Sequence, residues 1–246
     1  LYIFCGDYLE RGIENKEMMY EMMRLSTLPN TIMLEGNHER HIANFAFNTK
    51  LDHSKRFMKE VVAPIVKDMT KKDVELLQRE LRLFYKSLRQ CYPFSFHGKK
   101  YLVSHGGLSY VPNMTFVSTS TFINGYGAYE TDIAKIYDTN YDRGMCQDFI
   151  QIHGHRGVPD GNYSYCLEGE VEFGGELKYI DITKDSFTKN GIKNDVYDKD
   201  YMRHEYQNMT QHVIFTQNED INILGNSKLV KVKKCSPNLY SLNFTS

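Results

Sequence analysis

Four short apolar runs in this chain each end in side chains able to hold a metal ion. Leu1–Cys5 runs into Gly6-Asp7, and Thr31–Leu34 runs into Glu35-Gly36-Asn37-His38-Glu39. Tyr101–Val103 runs into Ser104-His105-Gly106-Gly107, and Phe149–Ile152 into His153-Gly154-His155. Strands that finish at a common edge bring their last residues to one rim, where α/β sheets bind ligands. Asp, Asn and His together offer mixed oxygen and nitrogen donors. That set suits Mn²⁺, Fe, Zn²⁺ or Ni²⁺ rather than Ca²⁺ alone. Glycine beside each donor lets the backbone turn tightly or approach an ion closely. Taken singly, Gly-Asp is an ordinary turn, Asn-His a loop and His-Gly a turn or a buried histidine. The ordered set carries the signal, sharpened by Gly6-Asp7-x-x-x-Arg11-Gly12, which fixes four positions.

The elements that must position these groups read as a mixture of strands and helices. Glu14–Leu25 has helical spacing, with Met18, Met19, Met22 and Met23 as an apolar stripe facing a core. Pro29-Asn30 ends that segment, and Ala43–Asp68 contains further helix. Thr70–Gln90 is an amphipathic helix, with Val74, Leu77, Leu81, Phe84 and Leu88 on one side. Thr70 and Asp73 have the spacing of an N-terminal cap. Phe94–Phe96 and Tyr101–Val103 form a hairpin about His97-Gly98-Lys99-Lys100. Strands follow at Tyr163–Leu167 and Glu176–Ile182. Asp185–Tyr206 is rich in Lys, Asp, Asn and Tyr with little periodicity and reads as a surface connection. Strand patterns return at Val213–Phe215, Ile221–Leu224 and Leu229–Val232.

Composition narrows the function classes. With 30 Lys+Arg against 31 Asp+Glu the net charge is -1, which excludes a strongly basic nucleic-acid binder but not a local basic groove. Aromatic residues make up 13%, against disorder. No run approaches the ~20 apolar residues of a membrane span, so no membrane partner is expected. Five cysteines without a Cys-x-x-Cys point to a reducing, cytoplasmic compartment. Cys5, inside an apolar strand, is a poor nucleophile. Leu1–Cys5 reads as a buried strand, and both ends of the sequence read as cut from a longer polypeptide.

The segments Gly6-Asp7-Tyr8-Leu9-Glu10-Arg11-Gly12, Gly36-Asn37-His38-Glu39, Ser104-His105-Gly106-Gly107 and His153-Gly154-His155 resemble the calcineurin-like metallophosphoesterases, on the phosphoprotein-phosphatase branch that includes bacterial polynucleotide phosphatases. The resemblance implies an α/β (α+β) fold, a four-layer α/β/β/α sandwich with two divalent metals, Mn²⁺ foremost, at the strand ends. It implies that Asp7 bridges both metals and that Asn37, His105 and His155 complete the second site. His38 would contact substrate and protonate the leaving oxygen, and Arg11 would grip the phosphate. Glu10, where many members have Asp, would orient its neighbours, and His153 is a candidate ligand or supporting group. A hydroxide bridging the two metals would attack phosphorus in line. The family's first motif, an Asp-x-His, is missing, and truncation before Leu1 is the simplest account. As it stands, the chain is expected to be weakly active or inactive.

Two further resemblances bear on substrate. Cys166–Leu177 is similar to the closing strands of bacterial polynucleotide phosphatase domains and makes Glu168 a substrate-binding candidate. Ser227–Thr245 resembles the opening of a phage-type RNA ligase domain, although its lysines also suit a solvated strand face. The expected organisation is a phosphoesterase domain over 1–184, a linker over 185–212 and the start of a second domain over 213–246. The preferred reading is a phosphomonoesterase acting on RNA 2′- or 3′-ends, with a covalently linked ligase domain as partner. The alternatives are a serine/threonine phosphoprotein phosphatase and a non-catalytic module that binds metal or a partner.

Overall fold

The computed structural model describes residues 1–49, 54–113, 118–129 and 131–199, and the backbone of 211–214, 230–236 and 239–244. The chain divides into two units, Leu1–Tyr197 and Asp198–Ser246. In the first, β1 (Tyr2–Phe4) leads through α1 (Asn15–Ser26) to β2 (Thr31–Met33), paired parallel to it. Next come α2 (Glu39–Ala46), α3 (Lys55–Phe57), a π turn at Met58–Val62, α4 (Ala63–Val66) and α5 (Lys71–Ser87). Then β3 (Cys91–Phe96) and β4 (Lys99–Gly106) form a hairpin, followed by α6 (Thr119–Asn124), α7 (Ile133–Asp142), β5 (Phe149–Gly154) and β6 (Ser164–Cys166). Strands β4, β5 and β6 run parallel, and the sheet order is β3-β4-β5-β6. The hairpin of β7 (Glu176–Ile182) and β8 (Phe187–Lys193) closes the unit.

Period-two alternation sorts the side chains into layers. Phe4 and Met33 face a core of Met19, Met22, Ile42, Leu77, Leu81 and Phe84, made with the helices. Ile3, Ile32 and Leu34 face the opposite way, onto Tyr101, Val103 and Ile152 of β4 and β5, with Ile180 and Phe187 of the β7–β8 hairpin. Leu102, between Tyr101 and Val103, points to a third core with Phe122 of α6 and Tyr137 of α7. Helices, sheet, sheet and helices therefore follow one another, the α/β/β/α order. The helix cap at Thr70 is a full capping box with Asp73. The His97-Gly98 turn has φ of 46° and 78°, as a tight hairpin requires.

Two expectations need correction. The first strand is not buried at its start: Leu1 and Tyr2 are 67% and 64% exposed, and among the described residues β1 pairs with β2 alone. The stretch read as a connection from Asp185 contains β8, which pairs with β7 over its whole length. Its polar residues suit a strand that leaves most side chains exposed, so composition resembled a loop. In the second unit, β9 (Gln211–Ile214), β10 (Val230–Ser236) and β11 (Leu239–Phe244) form an antiparallel sheet in the order β10-β11-β9. The strand expected at Ile221–Leu224 lies outside the described residues.

Two buried side chains fix the loops at the strand ends. The first is Glu39, fully buried, which accepts from the amides of Asp7 (2.9 Å), Tyr8 (3.0 Å) and Gly36 (2.7 Å). One carboxylate thus ties the loop after β1 to the loop after β2. These loops touch backbone to backbone: a Cβ on Gly6, at φ 96°, would lie 2.6 Å from the Gly36 nitrogen. The second is Arg156, 2% exposed, whose guanidinium donates to the carbonyls of Asn124 (2.6 Å), Tyr126 (2.7 Å), Gly127 (3.1 Å) and Ala128 (2.5 Å). It binds the segment after α6 to the end of β5.

A carboxylate suits three amide donors, whereas a carboxamide turns an N–H₂ toward one side of them. A buried N–H left without a partner costs about 1–3 kcal/mol. Glu39→Gln is therefore expected to destabilise the fold by about 2 kcal/mol and Glu39→Ala by more, read as lowered urea midpoints at unchanged m-value.

Candidate metal centre

Asp7 follows β1 in a loop of positive-φ residues, namely Gly6, Asp7, Glu10 and Arg11. Asn15 holds this loop, accepting from the Glu10 amide (3.0 Å) and donating to the Gly12 carbonyl (2.7 Å). Asn37 and His38 leave β2 just before α2. His105 is the second-last residue of β4, and His155 follows β5 at φ 67°. Ligand atoms of Asp7, His105 and His155 all fall within 4.8 Å of one another. His105 Nε2 lies 3.2 Å from Asp7 Oδ2 and 3.2 Å from Asn37 Oδ1. Asp7, His105 and His155 therefore meet, and Asn37 joins them through His105.

His155 is set up as a neutral nitrogen donor, whereas on His105 burial opposes charge but the hydrogen bond and charge of Asp7 prevail and raise it, so a metal ion takes the place of that proton. The Nδ1 of His105 lies 2.7 Å from the Cys5 carbonyl, which fixes the proton there and leaves Nε2 facing Asp7 and Asn37. Burial, with the neighbouring His105 and Arg156, pushes His155 down to about 4. Burial works to raise the Asp7 carboxyl. The hydrogen bond and charge of His105, the His38 charge and the His38 amide outweigh it and hold the group at about 2. One ionised carboxylate, one amide oxygen and two imidazoles fit a divalent first-row ion. Burial, then the charge of Asp7, raises Glu39 to about 7. A cation held at Asp7 would offset that charge and favour the ionised, three-amide-accepting form.

His38 and Arg11 stand beside this group. The His38 Nδ1 hydrogen-bonds Glu10, its amide donates to Asp7 Oδ1 (3.0 Å), and its Nε2 lies 3.9 Å from Asp7 Oδ2. Burial opposes charge on this ring, but Glu10 and Asp7 prevail and raise it above its ordinary value. Arg11 Nη2 approaches His38 Nε2 at 3.1 Å, while Nη1 is paired with Glu172. Arg11 sits on a left-handed residue of the loop rather than on a helix.

Glu168 occupies a different role in geometry from its neighbour Glu172. Its carboxylate accepts from the amides of Gly169 (2.9 Å) and Glu170 (2.7 Å), closing its own turn. Burial raises its pKa, with Glu172 and Asp7 adding to the effect. Glu172, in the short 3₁₀ turn Val171–Phe173, is the acid that reaches Arg11. His153 does not join the cluster. It is fully buried, its Nδ1 lies 2.9 Å from the Gly154 carbonyl, and burial lowers it to about 4. Cys5 is half-buried, and burial with nearby Cys166 pushes its thiol up to about 12, which rules out a thiolate nucleophile.

Sequence reasoning gave no role to Glu39, Glu172 or Arg156. Glu39 closes the Gly-Asn-His-Glu segment, and its spacing of three from Gly36 was the available signal. Glu172 and Arg156 act through tertiary contacts that no local spacing announces.

Known proteins place the site in a family. A crystal structure of a hypothetical protein from Pyrococcus horikoshii OT3 covers 83% of this chain and 78% of that chain. It shares 10% identity with a TM-score of 0.46, too slight a likeness to argue from. No curated protein matches the chain. The family described as calcineurin-like phosphoesterase, whose members use divalent metals, matches residues 1–183, a span containing every residue of the cluster. The chain therefore belongs to the calcineurin-like phosphoesterase family.

Proposed function

We propose that this chain is a metal-dependent phosphomonoesterase acting on polynucleotide 2′- or 3′-ends in RNA repair. The observation that carries the phosphomonoesterase reading is the convergence of Asp7, Asn37, His105 and His155 beside Arg11 and His38. Support for an RNA end comes from the sequence around Glu168, which resembles polynucleotide phosphatases, and from the ligase-like pattern over Ser227–Thr245. In this reading the cytoplasm is the compartment, a ligase domain on the same polypeptide is the partner, and Mn²⁺ is the preferred metal. Among the described residues no helix is long and apolar enough to cross a membrane.

Asp7, Asn37, His105 and His155 would hold a divalent ion, and a bound ion supplies Lewis acidity toward phosphoryl oxygens and an activated water. The chain's own groups do the rest. Arg11 orients the phosphate through a planar, permanently charged fork that Lys does not reproduce. To do so it exchanges its Glu172 partner for phosphate oxygens. Once Arg11 turns to phosphate and releases His38 Nε2, that nitrogen takes up a proton and delivers it to the departing oxygen, while Glu10 on Nδ1 keeps the ring oriented and favours its charged form. Glu168 shapes the turn that carries Glu172 to the mouth of the site.

Metal binding has a readout independent of turnover. Mn²⁺ at 100 times its dissociation constant should stabilise the fold by about 2.7 kcal/mol. The corresponding rise in Tm should vanish in His155→Ala and Asp7→Asn. An equal rise in both variants would place the ion elsewhere.

In a protein extended upstream to include an Asp-x-His motif, Arg11→Ala should lower turnover about 10²-fold, the size of a lost electrostatic stabiliser. His38→Ala should slow esters of ribose hydroxyls far more than p-nitrophenyl phosphate, whose leaving group needs no proton. RNA bearing a 2′- or 3′-phosphate should be preferred in kcat/KM over a phosphoserine peptide at equal Mn²⁺. The opposite order assigns the site to protein dephosphorylation.

A further inference from the structure

The segment 125–129, which follows α6, forms one wall beside the metal centre and is fastened at several points. Arg156 bonds three of its carbonyls and that of Asn124, the last residue of α6, and the Tyr126 amide donates to the Gly107 carbonyl at 2.9 Å. Gly125, at φ 72°, packs so tightly that a Cβ there would lie 2.7 Å from the Gly107 oxygen. The wall is thus fastened to the ends of β4 and β5, the two strands that supply His105 and His155. At its end stands Tyr129, 56% exposed, its ring centroid 5.8 Å from that of His155 and perpendicular to it. The His155 ring that it meets lies 4.9 Å from that of His105, so Tyr129 stands beside the metal centre, where Glu168, Glu170 and Glu172 add to burial in raising its hydroxyl and Arg11 opposes them. Burial and the three acids keep that hydroxyl protonated. Exposed tyrosines are common, but one held on a fastened wall beside a metal-ligand residue offers an aromatic surface at a fixed distance from the reacting phosphate.

We propose that Tyr129 is the floor of a stacking subsite for a planar ring carried by the leaving group, a nucleobase in the case of an RNA end. Every base has a π-face, so such a floor takes bases with little sequence preference. Specificity would then lie in whether the phosphoester bears a ring at all. This inference rests on the reading of the site as a phosphomonoesterase and deepens it by naming the part of the substrate that Tyr129 meets. Arg156 acts as a positioning residue, since it touches only the wall.

The test compares adenosine 3′-phosphate with glycerol 2-phosphate on the full chain loaded with Mn²⁺. Both release a secondary alkoxide, so they differ mainly in the ring. The kcat/KM ratio, adenosine over glycerol, should fall about tenfold in Tyr129→Ala, chiefly through KM, and hold in Tyr129→Phe. Tyr129→Leu, which keeps bulk without a π-face, should behave as the alanine variant does. A second readout needs no turnover: 2-aminopurine riboside 3′-phosphate fluorescence should be quenched by the parent protein and by Tyr129→Phe, but not by Tyr129→Leu. An unchanged ratio, or quenching that survives in Tyr129→Leu, overturns the subsite. Preference for a phosphoserine peptide over RNA, with the Tyr129 effects intact, would overturn the RNA-end reading and leave the subsite standing.

Discussion

A single buried carboxylate holds the site together. Glu39 has no access to water, and its two oxygens accept amides from Asp7, Tyr8 and Gly36. These residues belong to separate loops, each leaving one of two parallel strands. An ionised carboxylate out of water is costly, and only several hydrogen bonds to its charged form offset that cost. The loops can come close enough to supply them because Gly6 and Gly36 have no side chains where they touch. The placement of Asp7, Asn37 and His38 follows from that junction. Tyr8 reinforces it from below, its hydroxyl donating to the Leu34 carbonyl at 2.8 Å.

The two histidine-bearing strand ends use another device. His105 anchors one nitrogen on the Cys5 carbonyl, so the sheet of β4 and β5 is fixed to the loop after β1. His155 sits at a left-handed residue, and Arg156 immediately after it ties the chain to the wall above. A donor set made this way is fixed by backbone contacts more than by side-chain packing. That suits metal binding, in which ligand atoms must be held ready before the ion arrives.

Much of the first unit could be read from its residues. The stripe of Met19 and Met22, the Thr70–Asp73 cap and the His97-Gly98 turn each obey local rules, and each stands where the spacing placed it. The strand-end groups were legible because a strand and the polar residues after it are contiguous in sequence. What escaped was decided by distant partners. β8 has a loop-like composition and becomes a strand because β7 offers it an edge. No local spacing announced the left-handed conformations of the Arg11 loop, which Asn15 and the Glu60 carboxylate hold. The Arg11–Glu172 pair joins residues 161 positions apart, so no local pattern around Glu168 announced it.

The pairing of Arg11 with Glu172 makes the mouth of this site an ion exchanger. In the proposed reading, a phosphate reaching Arg11 does not meet a bare guanidinium; it replaces Glu172 there, and the released carboxylate regains its water. The charge on the protein side is the same before and after the swap. Affinity should therefore depend less on ionic strength than in a site where cations stand alone, because screening weakens the old contact along with the new one. Selection then falls to geometry and valence: a dianion able to take both arms of a planar fork outcompetes a tethered monocarboxylate, whereas chloride or acetate does not. Glu172 thus acts as an internal counter-ion, setting a threshold of charge and shape below which small anions do not hold the arginine.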